Sequence, residues 1–217
     1  MRGEGLFGDS RREMKRAPGK VTDSAGDQLT VAFNGPHIIC NETRDVLTDC
    51  VHRKQAGIFF TAALVGDTYR ITHIGQTGTS FYARLKEHVI QTLGGNFRIC
   101  DPHAMARGEI KVLWDGLWRP GRHAQLPDFL RDGPALFEAA RACFKLEKAF
   151  VAPLDAEDRM RRRIEGAIAK QIRKDKAASS LFPPDVRYLP KLSTESPITI
   201  RIVTPKKVLG LPEQLEV

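Results

Sequence analysis

The sequence predicts an α/β protein of the α+β kind, with a small antiparallel or mixed sheet flanked by helices and extensions at both ends. Three observations carry this. Two β-type runs, GIFFTAALV from Gly57 and TYRITHIG from Thr68, are joined by Gly66-Asp67 and followed by the amphipathic SFYARLKEHVIQTL. A second strand-then-helix pair, KLEKAFVAPL and DAEDRMRRRIEGAIAKQIRKDK, comes later in the chain. Finally, 217 residues with 41% hydrophobic and 28% charged content can bury a sizeable core without disulfides or metals.

Taken in order, residues 1–20 are polar, basic and glycine-containing, which predicts a flexible arm. Residues 21–55 form an N-terminal extension. Within it QLTVAFNGPHIIC offers extended segments broken by Asn34-Gly35-Pro36. NETRDVLTDCVHRK then reads as a helix, with Asn41 or Thr43 as N-cap and Val46, Leu47 and Val51 toward the core. Residues 56–178 form the main unit. Its first two strands and their tight turn make a hairpin, and Gly75 to Thr79 is a polar loop. Phe81, Leu85, Val89 and Leu93 recur every four residues, so they share a helix face that Gly94-Gly95 ends. An insertion spans about 96–143: a strand near Ile110–Trp114, a surface stretch RPGRHAQLPDFLRDGP and a helix in ALFEAARACF. KLEKAFVAPL returns as a strand, DAEDRMRRRIEGAIAKQIRKDK is a second clear helix, and the 179–217 extension holds one strand in SPITIRIV.

Composition excludes several classes of function. No apolar run approaches the roughly 18–20 residues that cross a bilayer, so no membrane partner is expected. The basic N-terminus lacks a following apolar region, which excludes a secretory signal and makes a cytoplasmic location the expectation. Cys40, Cys50, Cys100 and Cys143 are widely spaced without a CxxC, as free thiols would be. Cys100 and His103 make one C-x-x-H pair that nothing completes to four zinc ligands. The formal charge of +8 and pI of about 9.5 favour an anionic partner, of which nucleic acid is the commonest.

One constellation carries chemistry. Gly57-Ile58-Phe59 lies on the first hairpin strand, and His73-Ile74-Gly75 on the second. Gln76-Thr77-Gly78 follows, then Arg84 and His88 in an R-x-x-x-H spacing on the helix, and later Glu165 within RIEGAI. Four residues along a helix is a rotation of about 40°, so Arg84 and His88 share a face. In order and spacing this set resembles the GIY-YIG nuclease family, closely over residues 55–95 and more loosely over 144–175. The resemblance implies a divalent-metal-dependent DNA endonuclease. Glu165 would bind one Mg²⁺ or Mn²⁺, Arg84 would hold the scissile phosphate, and His88 would relay a proton or steady the nucleophile. These types suit hydrolysis of a phosphodiester, which needs a metal-held phosphate, a forked cation and a proton carrier. DNA is the expected substrate ahead of RNA.

The departures from the family pattern are equally specific. Both motif tyrosines are absent, the first position being Phe59 and the second His73. Tyr69 lies four residues from His73 on the same strand, roughly 13 Å away, and Tyr82 lies on the far side of the helix from Arg84. His73 is therefore the expected replacement, because imidazole titrates near neutrality and can take a proton from water. A family asparagine after the glutamate helix has Asp185 as its nearest polar counterpart. Arg159, Arg161, Arg162, Lys170 and Arg173 share the helix of Glu165 and would grip the DNA backbone. A solvated charged helix explains the same run, and Trp114, Trp118 and Arg119 could belong to a substrate-contacting insertion, although tryptophans in a β segment are more often core. The rival function is a nucleic-acid-binding protein that kept the fold and lost its chemistry.

Overall fold

The computed structural model describes residues 29–118, 121–184, 188–189 and 191–217; the expected arm at 1–20, Arg119 and Asp185 lie outside them. In chain order the strands and helices are Leu29–Ala32 (β1), Asn34–Ile38 (β2), Gly57–Val65 (β3), Thr68–Thr77 (β4), Phe81–Leu93 (α1), Ile99–Cys100 (β5) and Pro102–Ala106 (α2). Val112–Trp114 (β6), Leu126–Leu146 (α3), Glu147–Pro153 (β7), Asp158–Arg173 (α4), Thr199–Val203 (β8) and Gln214–Glu216 (β9) complete the set. The class is α+β, as the sequence predicts.

A four-stranded antiparallel sheet in the order β2-β7-β3-β4 organises the molecule. Its central strand β3 is apolar at nearly every position because both faces are covered. Side chains alternate across a strand, so Ile58 and Phe60 enter one core while Phe59 enters another. On the first face lie Ile164, Ile168 and Ile172 of α4, together with Val31, Ile200 and Ile202. Those last three come from a second sheet, ordered β1-β8-β9, in which β1 runs parallel to β8. The two terminal extensions thus meet in one sheet that closes the main core. On the second face, Phe81, Leu85 and Val89 of α1 pack over Phe59, Ala149 and Val151.

Several expectations change. Residues 41–54 form successive turns, not a helix. Asn41 and Asp45 satisfy nearby backbone N–H groups at Thr43 and Val46 with their own side chains, which competes with helical bonding. Leu47 has φ 51, outside the right-handed helix altogether. Val46 and Leu47 are nevertheless buried, but Val51 is 88% exposed. Asn34-Gly35-Pro36 lies inside β2, at an irregularity between Asn34 and His37, rather than breaking the extended segments. The surface stretch before Leu136 is mostly helical, because α3 begins at Leu126 and runs through Pro134. An interior proline costs about 3 kcal/mol. Here Phe129, one turn upstream, packs on Trp114 at 5.3 Å and anchors the early turns.

Candidate active site

The hairpin sets the site through a bulge. Thr61 pairs with His73 and Ala62 with Ile71, so Thr72 is an extra residue in β4. A bulge reverses the parity of side chains on either side of it. Ile71 and Ile74 therefore both face the α4 core, whereas His73 turns toward α1. The same bulge separates Tyr69 from His73: Tyr69 stands against Phe150 on the α4 side, at 5.1 Å, and not on the face of His73 that strict alternation implies. Phe59 lies 5.9 Å from His73 and 6.4 Å from Phe81 and is fully buried, so it fills space beneath the site without reaching its surface. Both motif glycines have steric reasons. A Cβ at Gly75 would sit 2.6 Å from the Phe59 ring, and one at Gly57 would sit 2.1 Å from the Ala152 carbonyl oxygen.

Helix α1 begins at Ser80, whose hydroxyl accepts from the Ala83 N–H at 3.1 Å. From that start Arg84 and His88 project together. The His88 ring stacks on His73 with centroids 5.1 Å apart and planes 15° apart, and the Phe97 ring lies 5.4 Å from it, tilted by 41°. His73, Arg84 and His88 line one cavity of about 520 Å³. Burial first, then the neighbouring His88 and Arg84 charges, push His73 down to about 3. Burial and Arg84 push His88 down to about 4, against a weak opposing pull from Glu87. Both rings are neutral at pH 7. That corrects the expectation of a histidine titrating near neutrality, since a ring so hard to protonate is a poor acceptor of a proton from water. Arg84 pairs with Glu87 at 2.6 Å, an exposed i,i+3 contact of small worth that an arriving phosphate can displace.

Glu165 stands on α4, whose apolar side packs on the opposite face of the sheet, and it does not line the cavity. It approaches from around β4, the edge strand, and the Arg84 charge reaches it. Burial raises its carboxyl to about 7, with Arg162 and then Arg84 pulling back and Asp158 adding to the rise. A half-buried carboxyl with a second carboxylate near it fits a divalent cation, whose charge would hold it ionised. Among the described residues no cluster of three or more His, Cys, Asp or Glu could hold a metal ion. Glu165, with phosphate oxygens and water, is thus the donor set available.

The basic helix needs correction residue by residue. Arg161 turns inward: its guanidinium donates to the Ala156 carbonyl and, at 3.2 Å, to Gln76 of β4. Arg159 forms a two-pronged pair with Glu195 at 2.7 and 2.8 Å. Both tie α4 to its surroundings and are not open to a DNA backbone. Arg173 lies over the Phe182 and Tyr188 rings at 5.4 Å from each. Arg162, whose one bonded partner among the described residues is its helix neighbour Asp158, and Lys170 are exposed.

Two residues that the motifs did not point to belong to this region. Tyr188 crosses α4 at Gly166, where a Cβ would meet the Leu189 carbonyl oxygen at 2.7 Å and the Tyr188 Cβ at 3.5 Å. Its hydroxyl is buried and has no hydrogen-bond partner among the described residues, and burial, then the Glu165 charge, raise it well above the usual phenol range. Glu147 is buried, lines the cavity, and is raised to about 7 by burial against a hydrogen bond from Thr72. Neither carried a spacing signal, since Glu147 lies in an ordinary strand pattern and Tyr188 in a loop.

In comparisons with known proteins, no family model, no curated protein and no solved structure matches this chain. Among the described residues, no helix is long and apolar enough to cross a membrane.

Proposed function

We propose that this protein is a GIY-YIG-like, divalent-metal-dependent endonuclease that hydrolyses a phosphodiester bond of DNA. The observation that carries the reading is the meeting of His73, Arg84 and His88 on one cavity wall, with the Glu165 carboxyl inside the field of Arg84. Arg84 presents a forked cation to the scissile phosphate, exchanging Glu87 for phosphate oxygens. Glu165 would hold Mg²⁺ or Mn²⁺, which supplies charge neutralisation on the phosphate and makes water more acidic. The neutral His88 and His73 rings offer a hydrogen bond to the developing charge and keep the pocket free of competing cations. With the histidines neutral throughout, the ionisation that governs the reaction is that of Glu165. Because the carboxylate is the required form, cleavage rises with pH through about 7 at low metal, and that midpoint falls as metal rises.

Nicking of supercoiled DNA with Mg²⁺ or Mn²⁺ tests this. Arg84→Ala and Glu165→Gln are each expected to lower the rate by about 100-fold or more. Full cleavage by Glu165→Gln, or by the unaltered protein in excess chelator, would overturn the mechanism. A second reading, a nucleic-acid-binding protein without catalysis, draws on two facts: Phe59 stands at a tyrosine position, and His73 is a weak base. DNA binding without nicking at any pH is its signature.

A further inference from the structure

The cavity beside Arg84 is larger than a phosphate needs. At about 520 Å³ it falls within the roughly 300–1,000 Å³ of sites that enclose small organic ligands. One side of it is aromatic: the His73 and His88 rings stack at 5.1 Å, and Phe97 lies 5.4 Å from His88 with its plane tilted by 41°. Phe144 faces this wall from α3, and Trp118, 71% exposed, stands at the rim. Polar groups line it as well, among them Asn96 and the paired Arg98 and Asp115, and two of them lie deep. Glu147 and Thr72 are each 7% exposed and line the cavity, and the Thr72 hydroxyl is hydrogen-bonded to that of Thr61 at 2.7 Å. Such a buried carboxyl offers a hydrogen bond to a donor or acceptor on a ligand.

A slot with ring-shaped walls, a hydrogen-bonding floor and a phosphate-holding arginine at its mouth matches a single nucleotide unit. We propose that the cavity receives one nucleobase turned out of a DNA strand, packed against Phe97 and His88, with Glu147 and Thr72 reading its polar edge. This rests on the reading of Arg84 as the group that holds the phosphate. Turning out a base costs least where it is already unpaired, so an unpaired base beside the bound phosphate is the preferred substrate feature. Stacking on the aromatic wall adds affinity that tolerates different bases, while Glu147 and Thr72 decide which base is favoured.

The test is the affinity of the full chain, in chelator, for a short labelled duplex that is either fully paired or carries one single-base bulge. The bulged duplex should bind at least ten-fold more tightly. Phe97→Ala should bring the two within about two-fold while leaving the paired duplex unaffected. The near-isosteric Glu147→Gln should keep the preference for a bulge but change which of the four bulged bases binds best. Equal affinity of the unaltered protein for both duplexes overturns the proposal, as does a preference that survives both substitutions unchanged, or no binding of either duplex. Cleavage with Mg²⁺ or Mn²⁺ at equal affinities would preserve the nuclease reading and remove the base pocket. A bulge preference without any cleavage would do the reverse.

Discussion

Protonating an imidazole that packing has desolvated costs folding free energy, and His73 and His88 are two such half-buried rings in contact. Their unfolded values lie near 6.5, and in the fold they drop to about 3 and about 4. A lowered histidine pKa means that the unfolded chain binds the proton first. The stabilising contribution is therefore complete above pH 6.5 and is lost as pH falls toward 4. Glu147 and Glu165 run the other way. Both are raised from 4.5 to about 7, so their protonated forms favour folding and that contribution fades as pH rises through this window. His88→Phe retains a ring for stacking and removes one titration. Its thermal midpoint should fall less between pH 7 and pH 4.5 than that of the unaltered protein. Parallel curves for the two would show that His88 is not held neutral by the fold.

At the scale of one element, α4 shows why a run of like residues cannot act as one surface. Successive residues are rotated by about 100°, so Arg161, Arg162 and Arg163 point in three directions. Arg163 is buried and donates to the Ser196 and Val217 carbonyls at 2.8 Å, Arg161 braces β4, and only Arg162 points outward. The expected stability order follows. Arg161→Ala leaves the Ala156 carbonyl and Gln76 without their donor and should cost about 1–3 kcal/mol. Arg162→Ala, which loses an exposed i,i+4 pair, should stay within about 0.5 kcal/mol. Urea denaturation measures both, and the reverse order would refute the assignment of Arg161 as a brace.

At the scale of the whole molecule, a net charge of +8 makes the DNA reading a statement about salt. Each phosphate neutralised contributes about 0.9 to the slope of log affinity against log salt. Because Arg159 is held in its pair with Glu195 and Arg161 is buried, the slope should respond to Arg162 and Lys170 instead. The double variant Arg162→Ala with Lys170→Ala is expected to flatten it by about 1–2, as read by anisotropy titrations over a salt series. DNA affinity that does not change between low and physiological salt would count against any phosphate-tracking surface.

The sequence by itself determined the α+β class, the hairpin, α1 with its glycine stop, β7 and α4. These are local: period-two and period-3.6 patterns, a turn dipeptide and a cap act within a dozen residues. It also determined that Arg84 and His88 share a face, because four residues on a helix leave no other outcome. The tertiary structure alone decided the rest. A single extra residue at Thr72 put His73 and Tyr69 on opposite faces. Short polar side chains and a left-handed Leu47 turned an apparent helix into turns, and Phe129 on Trp114 carried a helix through a proline. Burial moved both histidines out of the neutral range and brought Glu147 and Glu165 into it. Desolvation depends on everything that packs around a group, and those neighbours come from segments far apart in the chain, so no spacing of residues could announce it.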